Sequence, residues 1–155
     1  MKDIFSLKNK VAVVTGGSMG IGAMIAEGFL NFGAKVYLVA RNADQLKAKQ
    51  EELSKLGECE IISADLKDIA GIKQLVSQFA EKESRLDILV NNAGTTHLPA
   101  PMETIEEDEF DRVFNVNCKS VYLTAKNFIP HFKENKSGVI LNIASTAGVS
   151  PRPNL

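Results

Sequence analysis

The stretch that most constrains this chain is residues 11–22, VAVVTGGSMGIG. Val11, Ala12, Val13 and Val14 make a short apolar run of the kind found in a strand buried on both faces. Glycines crowd the turn that follows, and beyond it Ile21, Met24 or Ile25, Phe29 and Phe32 fall near helical spacing. The glycines therefore sit at a helix N-terminus. Unpaired backbone N–H groups and the helix dipole favour an anion there, such as a pyrophosphate.

The remaining chain alternates in the same way. Further strands are expected at Lys35–Ala40 and at residues 60–64, 86–90 and 139–143. Between them, residues 43–56 read as a helix with Leu46, Leu53 and Leu56 on one face and Gly57 at its end. Residues 68–83 repeat apolar positions at the helical period, and residues 105–132 do so over a longer span, with an acidic first turn at 106–109. Pro130 is expected to end or bend that last helix, and the proline-bearing residues 95–104 to form a loop. The lead-in, residues 1–10, offers Ile4, Phe5 and Leu7 to pack on the first strand. The pattern predicts an α/β, Rossmann-like, doubly wound parallel sheet of order 3-2-1-4-5. Ligands of such sheets bind beyond the carboxyl ends of the strands, where the order reverses between strands 1 and 4. Residues 16–22 and 91–94 and Ser145 all follow strand ends, so one crevice gathers them.

Bulk properties narrow the partners. With 155 residues, 45% hydrophobic and 24% charged, one globular domain spanning 1–155 is expected. A net charge of −1 gives no basic footprint for nucleic acid or an anionic membrane. No apolar run approaches the roughly 20 residues that span a bilayer, and the N-terminus MKDIFSLKNK lacks a secretory apolar core, so a cytoplasmic location is expected. Cys59 and Cys118 match no metal or redox spacing and read as free thiols; with His97 and His131 also unclustered, no metal is expected.

The glycine loop discriminates among phosphate-binding patterns. Gly17 and Gly22 have P-loop spacing, but Ala23 stands where that loop needs a lysine, which argues against a nucleoside triphosphatase. The strict G-x-G-x-x-G also fails, because Ile25 occupies its third glycine position. What stands is Thr15-Gly16-x-x-x-Gly20-Ile21-Gly22. Together with Asn91-Asn92-Ala93-Gly94 after strand 4, this resembles the short-chain dehydrogenase/reductase family in its short form. The extended form would want glycine where Met19 stands. The resemblance runs essentially the whole length, with five signatures in family order: the glycine loop, Asp65, Asn91 to Gly94, Asn117 and Ser145.

The resemblance implies an oxidoreductase passing hydride between a nicotinamide and a carbonyl or alcohol carbon. It implies cofactor contacts at Gly16, Ser18, Met19, Gly20, Ile21, Gly22, Arg41, Asp65, Leu66, Asn92, Ala93 and Gly94. Ser145 corresponds to the serine that bonds the reacting oxygen, and Asn117 to the asparagine that holds a relay water. Asp65 is either a helix N-cap or, by resemblance, an adenine contact, and Asn91 is suited to tying neighbouring strands together. Cofactor choice turns on Arg41. NAD-binding folds place an acid at the end of strand 2 for the ribose hydroxyls, whereas this chain has Ala40 and then Arg41. Without the acid a 2′-phosphate meets no repulsion, and a guanidinium binds it bidentately, so NADP(H) is predicted over NAD(H).

One family element is missing from its expected place. The family's proton-transferring Tyr-x-x-x-Lys follows the serine at a greater distance than the ten residues left after Ser145. Tyr122 and Lys126 have the spacing but lie upstream. On a helix they point about 140° and about 180° away from Asn117, and they read as packing or subunit-interface residues. The chain is therefore expected to be an N-terminal portion, truncated before the last strands, inactive alone, with an unpaired edge at strand 5. Its full-length form is expected to be a homo-oligomer, dimer or tetramer, acting on a 3-oxoacyl thioester, a sugar or a polyol. The rival reading is a catalytically inert dinucleotide-binding module with a regulatory or assembly role; a nucleic-acid binder has no basic patch behind it.

Overall fold

Each strand runs parallel to its neighbours, as short apolar runs joined by helices require. In the computed structural model, residues 4–150 are described. Strands β1 (Val11–Thr15), β2 (Lys35–Ala40), β3 (Cys59–Ser63), β4 (Ile88–Asn91) and β5 (Val139–Asn142) form one sheet in the order β3-β2-β1-β4-β5. Helices α1 (Gly20–Asn31), α2 (Ala43–Leu53), α3 (Ile69–Lys82), α4 (Glu107–Phe114) and α5 (Ser120–Asn135) make the connections.

Alternation along the strands sorts the core into two layers. Ala12, Val14, Val36 and Leu38 pack with Ala26 and Leu30 of α1 and Leu46 and Leu53 of α2. Val13, Tyr37, Val39 and Leu89 point the other way, onto Ile72, Leu75 and Phe79 of α3 and Phe128 of α5. Phe79 centres that layer, edge-on to Tyr37 at 5.2 Å and to Phe128 at 5.4 Å. The sheet is thus doubly wound, in the order predicted.

Several local expectations are corrected. The expected apolar stripe of α1 does not all face inward: Ile21, Met24 and Phe32 are exposed, and the buried face is Gly22, Ala23, Ala26 and Leu30. Small residues let this helix lie close against the β1 turn. Helix α2 ends at Leu53, before Leu56, which is exposed. The helix expected over 105–132 is interrupted by a π-turn at Asn115–Lys119. Pro130 does not end α5, which runs on to Asn135 and stops where Lys136 takes a left-handed conformation. Phe128, fully buried just before the proline, anchors that stretch to the core. Ile4 and Phe5 are exposed rather than packed on β1; Leu7 alone of the three reaches the core, its N–H donating to Phe32 O at 2.8 Å.

β1 is pinned to β4 at the amino end of the sheet by Asp87. Its buried carboxylate accepts from the Val11 N–H and from Lys10 Nζ, each at 3.0 Å, and from the Arg85 guanidinium. Burial alone pushes the Asp87 pKa up; the bonds from Arg85, Val11 and Lys10 outweigh it and hold the carboxyl below the usual aspartate range. A depressed folded pKa contributes stability that is complete above the unfolded value near about 4 and is lost as pH falls through the lower folded value. We predict that unfolding free energy declines as pH drops below about 4, and that Asp87→Asn flattens this decline. At neutral pH the same substitution should cost about 1–3 kcal/mol. Urea unfolding of both proteins across a pH series measures both effects, and equal acid slopes would refute the assignment.

Candidate functional site

The carboxyl ends of the strands open onto a cleft of about 840 Å³. Its deepest support is Thr15, the last residue of β1 and 1% exposed. Its Oγ1 donates to Val90 O at 3.1 Å and accepts from the N–H groups of Asn92 at 2.9 Å and Ala93 at 3.0 Å. One hydroxyl therefore joins the ends of β1 and β4 at the point where strand order reverses. Asn92 answers it, donating from Nδ2 to Thr15 O at 3.0 Å and, at 3.4 Å, to Gly16 O.

The turn above this joint has no room for side chains at two positions. Gly16 has φ of 66°, left-handed backbone, and a Cβ there would press on the Asn92 amide. A Cβ at Gly22 would overlap the Gly16 carbonyl and the same amide. Helix α1 begins beyond with no side-chain cap on its first turn. The first N–H groups of a helix lack intrahelical acceptors, an arrangement that favours an anion.

The cleft lining brings together Gly16, Ser18, Met19, Arg41, Asp65, Leu66, Asn92, Ala93 and Gly94 of the expected residues. Gly20, Ile21 and Gly22 form the adjoining first turn of α1. Arg41 is exposed at the end of β2, and its side chain makes no ion pair or hydrogen bond among the described residues. Asp65 is not the cap of α3: Asp68 is, accepting from Gly71 N at 2.9 Å, while Asp65 accepts from Lys67 N at 3.0 Å. Asn91 ties β4 to β5, donating from Nδ2 to Asn142 Oδ1 at 2.9 Å.

Asn117 and Ser145 lie off the lining. The Asn117 amide is engaged on both sides, accepting from Thr95 N and donating to Thr95 O, each at 2.8 Å. Ser145 Oγ accepts from Ala147 N at 3.2 Å, which leaves its proton to be donated elsewhere. Neither tyrosine lines the cleft. Tyr37 is buried and donates to Glu83 at 2.8 Å, and Tyr122 is 63% exposed on α5 with Lys126 Nζ 5.9 Å from its ring centroid.

Lining residues that sequence reasoning passed over include Asn42, Gln45, Lys67, Thr95, Arg112 and Val116. Asn42 and Gln45 were within reach of a sequence signal, since they follow Arg41 in the β2–α2 turn, where Asn42 caps α2 by accepting from Gln45 N. Arg112 and Val116 come from α4 and the π-turn and carry no local motif. Cys59 and Cys118 are free thiols, the former buried, with burial pushing its pKa up to about 11.

This geometry coincides with a known sequence pattern. The short chain dehydrogenase model matches residues 10–155. The chain belongs to the short-chain dehydrogenase/reductase family. It is 40% identical over 154 residues to the rhamnolipids biosynthesis 3-oxoacyl-(acyl-carrier-protein) reductase of Pseudomonas aeruginosa, covering 97% of this chain and 60% of that protein. The solved Pseudomonas aeruginosa RhlG/NADP active-site complex matches this family member with a TM-score of 0.92 at 39% identity, over 98% of this chain and 60% of that one. A 3-ketoacyl-(acyl-carrier-protein) reductase from Brucella melitensis, complexed with NADH, matches with a TM-score of 0.90 at 41% identity, over 97% and 63%. The chain spans about 60% of the length of the curated relatives it matches first.

Because Thr15 Oγ1 serves two part-buried backbone donors at once, Thr15→Val should leave both without an acceptor in a side chain of the same shape. We predict a loss on the order of 2–4 kcal/mol in urea unfolding, with Thr15→Ser within about 1 kcal/mol of the parent.

Proposed function

We propose that residues 1–155 form one NADP(H)-binding domain of an oxidoreductase that passes hydride between a nicotinamide and a carbonyl or alcohol carbon. The observation that carries this reading is the cleft at the β1–β4 reversal, adjoined by a helix N-terminus without a side-chain cap and rimmed by Arg41, whose side chain has no partner among the described residues. A dinucleotide fits what is there: two glycines whose Cβ would obstruct the turn, open N–H groups beside it, and no acid at the end of β2.

When bound, NADP(H) gives or takes the hydride at its nicotinamide ring. The chain's own residues do the rest. Gly16, Ser18, Met19 and the first turn at Gly20, Ile21 and Gly22 hold the pyrophosphate on backbone N–H groups. Arg41 takes the 2′-phosphate, Asp65 and Leu66 flank the adenine, and Asn92, Ala93 and Gly94 form the floor. Ser145 hydrogen-bonds the reacting oxygen through its free hydroxyl. Asn117 stands behind Thr95 and fixes the floor's exit. In the full-length protein we place a carbonyl or alcohol of the 3-oxoacyl thioester, sugar or polyol class as substrate, a cytoplasmic location and a homo-oligomeric state. The 3-oxoacyl reductases among the relatives support the first, and the exposed aromatics Phe110, Phe114 and Tyr122 on α4 and α5 support the last.

The second reading is an inert dinucleotide-binding module, in which the same cleft holds a dinucleotide without turnover. Titration by cofactor fluorescence, followed by NADPH oxidation with 3-oxoacyl thioesters and ketoses, separates the two. Binding with no turnover on any of them supports the module. We predict tighter binding of NADPH than NADH, and a loss of that preference in Arg41→Ala by about tenfold or more. Higher affinity for NADH in the parent protein would refute it. In protein that turns over, Ser145→Ala should lower kcat by roughly 10²-fold while leaving NADPH affinity unchanged.

A further inference from the structure

Two arginines line the cleft, and their surroundings differ. The Arg41 side chain has no hydrogen-bond or ion-pair partner among the described residues, whereas Arg112 is heavily engaged. Its Nε and Nη2 lie 2.7 Å from the two carboxylate oxygens of Glu109, a bidentate pair one turn back on α4. The same guanidinium reaches across to the segment leaving β4: Nη1 donates to Thr95 Oγ1 and Nη2 to Thr96 O, each at 2.8 Å. Four of its five N–H groups are thus committed to one carboxylate and one loop.

Thr95 is gripped from two directions. Asn117 takes its N–H and its carbonyl, and Arg112 takes its hydroxyl. Thr95 immediately follows Gly94, so every polar atom of the residue that ends the cleft floor is held by α4 or by the π-turn beside it. The π-turn places Asn117 for this, and Arg112 sits one helical turn earlier on the same flank. Glu109 neutralises the guanidinium, which makes Arg112 a bracket and not a second phosphate site.

We infer that Arg112 is a positioning residue, clamping Thr95 and Thr96 to α4 so that Ala93 and Gly94 are held in place as the floor of the cleft. This rests on the proposed cofactor reading for its consequence, though not for its geometry. The clamp sets local rigidity, and local rigidity is read by amide hydrogen exchange.

The test uses the ligand-free protein first. In Arg112→Gln, amide exchange at Gly94, Thr95 and Thr96 should rise at least tenfold while Val13 and Val90 in the sheet stay unchanged. Arg112→Lys, which keeps a donor, should fall between. Thr95→Ala removes only the hydroxyl and should give part of the effect, with the Thr95→Ala/Arg112→Gln double variant no worse than Arg112→Gln alone. NADPH affinity should drop about tenfold in Arg112→Gln and less in Arg112→Lys. Unchanged exchange at 94–96, or a rise shared equally by Val13 and Val90, overturns the clamp. If the parent protein binds neither NADPH nor NADH, the cofactor reading fails, and the exchange measurements still decide the clamp.

Discussion

The hydroxyl of Thr15 is the interaction on which the rest of the site depends. A parallel sheet whose order reverses must leave a gap between the loops of its two central strands, because one connection goes to each face. At the floor of that gap the N–H groups of Asn92 and Ala93 emerge from β4 with no strand to receive them. Thr15 Oγ1 accepts both and passes its own proton to Val90 O. A donor left without an acceptor costs more than an ordinary hydrogen bond returns, so this atom fixes the start of the loop after β4. Asp87 performs the matching task at the amino end, and β1 is held to β4 at both extremities.

Order propagates outward from that joint. Asn92 is drawn against the Gly16 carbonyl, which requires glycine at 16 and again at 22, where α1 passes over the turn. The small residues of α1 follow from the same closeness, and Ile21 and Met24 are left facing solvent. On the far side, Thr95 is caught by Asn117 of the π-turn and by Arg112 of the preceding α4. The cleft is therefore walled by elements that touch one another through backbone polar groups, a rigid arrangement suited to an extended ligand with charge at its middle.

Much of this was legible from residue order. Strand order, the parallel pairing and the doubly wound layers follow from alternating short apolar runs and helical periods. The glycine loop follows from steric rules that act within a few residues. Asn91 as a strand tie was readable from its place at the end of β4, and the structure pairs it with Asn142. The edge at β5 was readable too: Val139, Ile140 and Leu141 are 59%, 38% and 41% exposed. Where periodicity misled, the cause was tertiary. Ile21 and Met24 fit a helical stripe, yet the buried face is Gly22, Ala23, Ala26 and Leu30, small where the helix passes closest to the β1 turn.

Residue order by itself determined the α/β architecture, the family, the position of the cleft and the absence of an acid beside Arg41, because each rests on local spacing or on rules of sheet topology. Tertiary structure alone decided how the cleft is held. The π-turn, the recruitment of Arg112 and Val116 to the lining, the engagement of Asn117 by Thr95 and the persistence of α5 through Pro130 all depend on contacts between residues far apart in the chain. No local propensity encodes such contacts. They arise when buried polar groups must find partners wherever the folded backbone brings them.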